Sequence, residues 1–178
     1  MMNPTPILEG QKIRLRPITM ADTALIVSWR NNSSVRQNFI FQEPFTTQIH
    51  ETWMKTKVET GKVIQYIIED KQTDTPVGSV YLKDVDHKNK SAEYGIFIGE
   101  DSARGKGFGS ETARLFVQFA LETLGLHRIF LRVFAENKGA IRSYEKAGFV
   151  MEGVARDMVR INERYQDIVF MALLGDKD

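Results

Sequence analysis

Residues 93–125 decide the fold, and they read EYGIFIGEDSA, then RGKGFG, then SETARLFVQFALETLG. The first segment is apolar and has the composition of a strand, whereas RGKGFG, residues 104–109, has three glycines and two cations. The last segment has apolar residues at helical spacing, namely Ala113, Phe116, Val117, Ala120 and Leu124. Glycines, whose backbone is not covered by side chains, and two cations therefore precede the start of a helix. An anionic ligand is favoured at such a position.

Two common nucleotide motifs do not fit RGKGFG. With Gly105 and Gly107 as the first pair of a dinucleotide fingerprint, the third glycine would fall on Ser110. A P-loop needs Ser or Thr after its Gly-Lys pair, but Lys106 is followed by Gly107. On the residues alone, a general anion cradle suited to a pyrophosphate and a tight strand-to-helix turn without a ligand both stay open.

Composition narrows the class of protein. The 178 residues are 42% hydrophobic and 26% charged, which is typical of one soluble globular domain spanning 1–178 with a core of about 12–174. A net charge of +1 argues against nucleic acid as the main partner, and the absence of cysteine excludes disulfides and thiolate chemistry. Neither a signal peptide nor a long apolar run is visible, so we expect no membrane contact and a cytoplasmic protein.

The order of elements predicts the fold class. Strand and helix patterns follow each other as β-α-α-β-β-β-α-β-α-β-β, which indicates an α/β domain with a mixed, mostly antiparallel sheet of six to seven strands flanked by helices. We expect Thr19 or Asp22 to open the first helix and Thr46 or Thr47 to open the second.

Two motifs resemble those of the Gcn5-related N-acetyltransferases, the GNAT superfamily. RGKGFG resembles the family's Arg/Gln-x-x-Gly-x-Gly/Ala signature. The second signature is filled by Asn137, Ala140, Ile141, Tyr144, Lys146, Gly148 and Phe149. The resemblance extends over residues 12–174. It implies that strands 4 and 5 of the family, in the centre of the sheet, are splayed apart. It also implies acetyl-CoA as co-substrate and no metal.

The resemblance also implies the residues that bind the cofactor. The loop and the first helical residues would hold the pyrophosphate of coenzyme A: Arg104, Gly105, Lys106, Gly107, Phe108, Gly109 and Ser110. The backbone of Phe97 and Ile98 would bind the pantetheine arm, and Asn137, Ala140 and Tyr144 would line it.

Catalysis of acetyl transfer needs a proton acceptor for the amine and a proton donor for the departing thiolate. Tyr144 is the candidate acid, because it shares a helix face with the small Ala140; a packed core tyrosine is the alternative. Glu93 is the candidate base. In the alternative, Glu93 only forms an ion pair and a chain of water molecules takes the amine proton.

The acceptor is less well defined. Trp29, Arg30 and His50 are the candidate contacts, and the three histidines lack metal-ligand spacing. We favour a primary amine of a small molecule, a nucleotide-linked amino sugar, with a polyamine or a ribosomal-protein N-terminus as alternatives. A non-catalytic acyl-CoA-binding module is the competing class of function. The sequence leaves a monomer and a homodimer both open.

Overall fold

The computed structural model describes residues 5–176. Its strands are β1 (Leu8–Glu9), β2 (Ile13–Pro17), β3 (Ile64–Asp70), β4 (Thr75–Asp86), β5 (Ser91–Ile98), β6 (Arg128–Phe134), β7 (Val150–Ile161) and β8 (Arg164–Leu174). Its α-helices are α1 (Thr23–Asn31), α2 (Ser33–Arg36), α3 (Thr47–Trp53), α4 (Phe108–Glu122) and α5 (Lys138–Lys146). Short 3₁₀ turns cover Met20–Asp22 and Asp101–Ala103, and a π-helical turn, Met54–Val58, continues α3.

The eight strands form one sheet in the order β1-β2-β3-β4-β5-β6-β8-β7. Every neighbouring pair is antiparallel except β5 and β6, which are parallel and are joined through α4. The predicted mixed, mostly antiparallel sheet is confirmed, with one strand more than expected. The additional strand is β1, whose two residues are too short to show an alternating pattern.

Helices cover both faces of the sheet because its central strands have apolar residues on both sides. In β3, Tyr66 and Ile68 belong to the core cluster that contains α4 and α5 residues, whereas Ile67 belongs to a second cluster with α1 residues. β5 is divided in the same way, with Tyr94 in the first cluster and Phe97 in the second. The central strands are therefore buried between two helical layers.

The expected capping residues lie at the starts of the first turn before α1 and of α3. Thr19 and Asp22 form a reciprocal capping box at the 3₁₀ turn that leads into α1. The Thr46 hydroxyl accepts a 3.2 Å hydrogen bond from the Ile49 N–H and so caps α3. Within residues 5–176, no helix has the length and apolarity needed to cross a membrane.

Candidate active site

The central feature of the site is a gap between β5 and β6. The two strands pair only at Ser91–Arg128, Ala92–Ile129 and Glu93–Phe130 and then separate. We call the gap between residues 94–98 of β5 and 131–134 of β6 the wedge. One edge of β5 is unpaired there, so an extended ligand can add to it as a strand would.

The register of β5 decides which backbone groups reach the wedge. Gly99 donates its N–H to the Val77 carbonyl at 2.8 Å, so the odd-numbered residues of β5 direct their backbone groups toward β4. Phe97 is opposite Ser79 and follows this pattern, so the expected backbone contact of Phe97 is not met. Ile96 and Ile98 direct their N–H and C=O groups toward the wedge, as expected for Ile98.

The glycine loop forms a concave backbone surface beside the wedge. The N–H groups of residues 105–110 have no hydrogen-bond acceptor among residues 5–176. Gly107 is the N-cap of α4 with φ of +85°, a left-handed conformation that strongly favours glycine. No atom of residues 5–176 lies within 4 Å of a Cβ built on Gly105 or Gly109. Free amides at the start of a 15-residue helix fit a pyrophosphate. We call residues 105–110 the cradle.

The cations around the cradle are arranged differently from the sequence expectation. Arg104 does not extend into the cradle, because its guanidinium pairs with Asp101 at 3.1 Å and donates to the Ile98 carbonyl at 3.2 Å. Lys12, which the sequence analysis missed, places its Nζ 3.4 Å from the Lys106 carbonyl. Lys12 directly precedes β2, far from the loop in sequence, and only the folded chain brings the two together.

α5 lines the other side of the wedge. The Asn137 side chain accepts a 3.1 Å hydrogen bond from the Ala140 N–H, so it caps this helix. Its amide group also donates to Asn38 at 3.1 Å, and this bond connects α5 to the loop after α2. Ser110 and Ser143 contact each other at 3.0 Å and connect α5 to the cradle helix. The second signature thus has a structural role, and its role at the cofactor stays a prediction.

Tyr144 packs among aromatic rings at the wedge. Its ring centre is 6.1 Å from that of Tyr94 and 5.9 Å from that of Phe149, both in edge contacts. Its hydroxyl has no hydrogen-bond partner among residues 5–176. Burial raises the pKa of Tyr144, and the neighbouring Tyr81 raises it further. The phenol therefore keeps its proton at neutral pH and can donate it or a hydrogen bond.

Glu93 is held by two cations. Arg132 donates to both carboxylate oxygens, at 3.0 and 3.2 Å, and Lys83 lies 3.3 Å away. The Glu93 residue is 8% exposed. These contacts match the ion-paired alternative, and they leave little room for an amine proton on either oxygen. A role as base stays a prediction, with a water chain as its alternative.

Replacing Glu93 with Gln should lower the free energy of unfolding by about 1–3 kcal/mol, because two partly exposed cations would lose their shared counter-ion. Thermal unfolding measures this loss. The pH profile of kcat/KM tests the chemistry in the same variant: a base role requires its acidic limb to flatten. An unaltered limb would assign the amine proton to water.

Tyr81 is a wedge residue that the sequence analysis missed. It is opposite Gly95, and a Cβ on Gly95 would overlap its ring, so the glycine lets the phenol lie across β5. Burial raises the pKa of Tyr81 to about 12, while Arg30 lowers it. The only sequence signal is a glycine inside a strand.

Gly95→Ala should displace Tyr81 and lower kcat/KM for the amine about tenfold or more, because small misplacements near a reacting centre are costly. Acetyl-CoA affinity should change little. Gly153→Ala is the matched control, since nothing lies within 4 Å of a Cβ at Gly153 in β7. Equal kinetics of the two variants would contradict a role for Tyr81.

Two of the expected acceptor contacts are buried. Trp29 is 3% exposed, its indole covers Gly99, and its Nε1 donates to Glu100 at 2.6 Å. His50 is 1% exposed and contacts the Thr23 hydroxyl at 2.9 Å between α3 and α1. Burial lowers the pKa of His50, which favours a neutral ring. Neither side chain can contact an acceptor in this arrangement, so both expectations are corrected.

Arg30, the third expected acceptor contact, has a different environment from Trp29 and His50. Its guanidinium carbon lies 3.4 Å from the ring centre of Phe39 and 4.7 Å from that of Phe45. Burial lowers the pKa of Arg30, and Tyr81 raises it. Arg30 is therefore stacked on aromatic rings next to a phenol of the wedge.

A cavity lies between the loop after α2, the end of β6 and the β7–β8 hairpin. Its volume is about 410 Å³, and side-chain amides dominate its lining: Gln37, Asn38, Gln42, Asn137 and Gln166, with Phe134, Glu136 and Ile161. Asn137 is common to this cavity and to the helix beside the wedge. An acceptor entering here would meet mostly neutral polar groups.

Comparisons with known proteins agree with this geometry. The family model "Acetyltransferase (GNAT) domain" matches residues 12–150. The spermidine N(1)-acetyltransferase of Vibrio cholerae is 30% identical over 170 residues, which cover 94% of this chain and 96% of that protein.

Solved structures are similar over nearly the whole chain. The crystal structure of Vibrio cholerae spermidine N-acetyltransferase in complex with CoA and spermine has a TM-score of 0.85 and 29% identity, covering 93% of this chain and 96% of that one. A dodecameric structure of spermidine N-acetyltransferase from the same organism has a TM-score of 0.80 and 30% identity, covering 93% and 95%. These relatives are named for polyamine substrates and not for amino sugars. The chain belongs to the GNAT acetyltransferase family and is an acetyl-CoA-dependent N-acetyltransferase.

Proposed function

We propose that the chain transfers the acetyl group of acetyl-CoA to a primary amine of a small molecule by direct attack. The observation that supports this most is the wedge itself, with free amides in the cradle and the Tyr144 ring packed against Tyr94 of β5. Polyamines are the first acceptor class to test, because the similar enzymes named above act on spermidine.

The chemistry can be divided among residues of this chain. When acetyl-CoA is bound, it supplies the activated acetyl group. The Ile98 N–H, directed toward the wedge, can donate to the thioester oxygen as negative charge develops there. As the amine nitrogen bonds to the carbonyl carbon and the carbon–sulfur bond breaks, Tyr144 can donate its proton or a hydrogen bond to the thiolate. The amine proton leaves through water or Glu93.

A thiol-release assay tests this proposal. We expect acetyl-CoA to release free thiol in the presence of at least one primary amine, with the acetylated amine detected by mass spectrometry. The panel contains spermidine, spermine, a nucleotide-linked amino sugar and a peptide with a free N-terminus. Binding of coenzyme A without turnover on any amine would favour the non-catalytic module. Self-association, left open by the sequence, has a precedent in the dodecameric relative.

A further inference from the structure

Arg30 is a partly buried cation without a counter-ion in the described chain. Among residues 5–176 it has neither an ion pair nor a hydrogen bond, and its Nε is sealed from solvent. Stacking on Phe39 and Phe45 offsets part of the cost of removing a guanidinium from water. Aromatic rings cannot accept the in-plane N–H groups, however, so the donors of the two terminal nitrogens remain available for a ligand.

The position of Arg30 connects it to the reacting end of the wedge. Phe39, on which Arg30 stacks, is in edge contact with Phe97 of β5, with 5.6 Å between the ring centres. Gly95 opens the space across β5 in which the Tyr81 ring lies. A ligand group held by Arg30 would therefore be close to the amine that the wedge is built to acetylate.

Two carboxylates on β5 and just after it already have partners. Glu93 is already shared between Lys83 and Arg132, and Glu100 accepts from Trp29. Arg30 adds one more cation with no carboxylate to balance it within residues 5–176. An acceptor consisting only of amines would meet a fixed charge of its own sign here, whereas an anion would be attracted.

We propose that Arg30 binds an anionic group, a carboxylate or a phosphate, that the amine acceptor carries a few atoms from its reacting nitrogen. A planar guanidinium with free donors is well suited to pair with either group through two parallel hydrogen bonds. The proposal rests on the proposed function, since it specifies the acceptor of the same site. It separates this chain from enzymes whose acceptors are bare polyamines.

Matched acceptor pairs test the proposal. The pairs are ethanolamine and O-phosphoethanolamine, propylamine and β-alanine, and a free 4-amino sugar and its nucleoside-diphosphate-linked form, with spermidine alongside. kcat/KM is measured for the native chain, for Arg30→Gln and for Arg36→Gln. Arg36 is the control, because it is an arginine at the end of α2 without the aromatic stack. The three pairs distinguish a carboxylate, a phosphate monoester and a diphosphate.

In at least one pair, the anionic member should exceed its neutral partner by about 10- to 100-fold in kcat/KM, the range of a charge-assisted hydrogen bond. Arg30→Gln should remove most of this preference, and Arg36→Gln should retain it. The KM for acetyl-CoA should be the same in all three proteins. Thermal unfolding shows whether Arg30→Gln is folded; if it is not, Arg30→Lys replaces it and should reduce the preference several-fold.

Three outcomes would overturn the proposal: no preference in any pair, a preference that survives in the Arg30 variants, or spermidine as the best acceptor with Arg30→Gln unimpaired. Each of these leaves acetyl transfer in place. Absence of turnover on every amine would instead argue against the proposed function. Calorimetry of the same probes on the coenzyme-A-bound protein then decides, because the proposal requires anionic probes to bind more tightly and Arg30→Gln to abolish the difference.

Discussion

Replacing Tyr144 with Phe should lower kcat by about 100- to 10,000-fold, the usual contribution of a positioned acid or base. The half-buried phenol packs against Tyr94 and Phe149 and its raised pKa keeps it protonated, so its hydroxyl is the available donor for the departing thiolate. Phe fills the same space and removes only that donor. Steady-state kinetics should show the loss in kcat, and calorimetry should show nearly unchanged acetyl-CoA affinity.

Tyr94→Phe is the matched control for this variant. Tyr94 lies next to Tyr144, and its buried hydroxyl has no partner among the described residues. Removing that hydroxyl makes the same chemical change one ring away from the proposed donor. If both variants kept native turnover, or lost it equally, Tyr144 would have no special role as acid.

Replacing Gly107 with Val should weaken acetyl-CoA binding about 100-fold or more, which corresponds to about 3 kcal/mol. Gly107 has φ of +85° at the N-cap of α4, and a β-branched residue is strained in that conformation. The valine would turn the free amides of residues 105–110 away from their common direction and place methyl groups over the cradle. Calorimetry with acetyl-CoA measures the effect.

Gly125→Val separates this effect from a general loss of stability. Gly125 follows the other end of the same helix, has φ of +66° and has no neighbour within 4 Å of a built Cβ. It should therefore suffer similar backbone strain without touching the cradle. Retained affinity in Gly107→Val, or an equal loss in Gly125→Val, would refute the assignment of the cradle.

The carrier side of the site was predictable from the sequence because its signals are local. Glycines 105, 107 and 109, with the helix that follows them, form the cradle from adjacent residues. Asn137 likewise caps the short helix that contains Tyr144, so the two residues are close in sequence and lie on one local element. Local order along the chain was enough to place these groups together.

Residues whose role depends on strand pairing or helix rotation were harder to predict. Phe97 was assigned a backbone contact, but only the register with β4 shows that its backbone faces away from the wedge. Trp29 and His50 lie on the expected helices with their side chains turned into the core. Arg30, one position after Trp29, instead stacks on Phe39 and Phe45, because one residue rotates a helix by about 100°.

Tyr81 shows a further limit of reasoning from sequence. An aromatic residue in a strand is common, and nothing in β4 alone distinguishes this one from a core residue. Its importance follows from the cross-strand position of Gly95 and from the charges of Arg30 and Glu93 around its hydroxyl. These neighbours are between 12 and 51 residues away in sequence, and only the folded sheet joins them.

A crystal structure with coenzyme A bound tests the central claim most directly. We predict that the pyrophosphate accepts hydrogen bonds from the amides of residues 105–110, that the pantetheine arm follows the free edge of β5, and that its sulfur lies within hydrogen-bond distance of the Tyr144 hydroxyl. A coenzyme bound outside the wedge, or a sulfur far from Tyr144, would contradict this account of the active site.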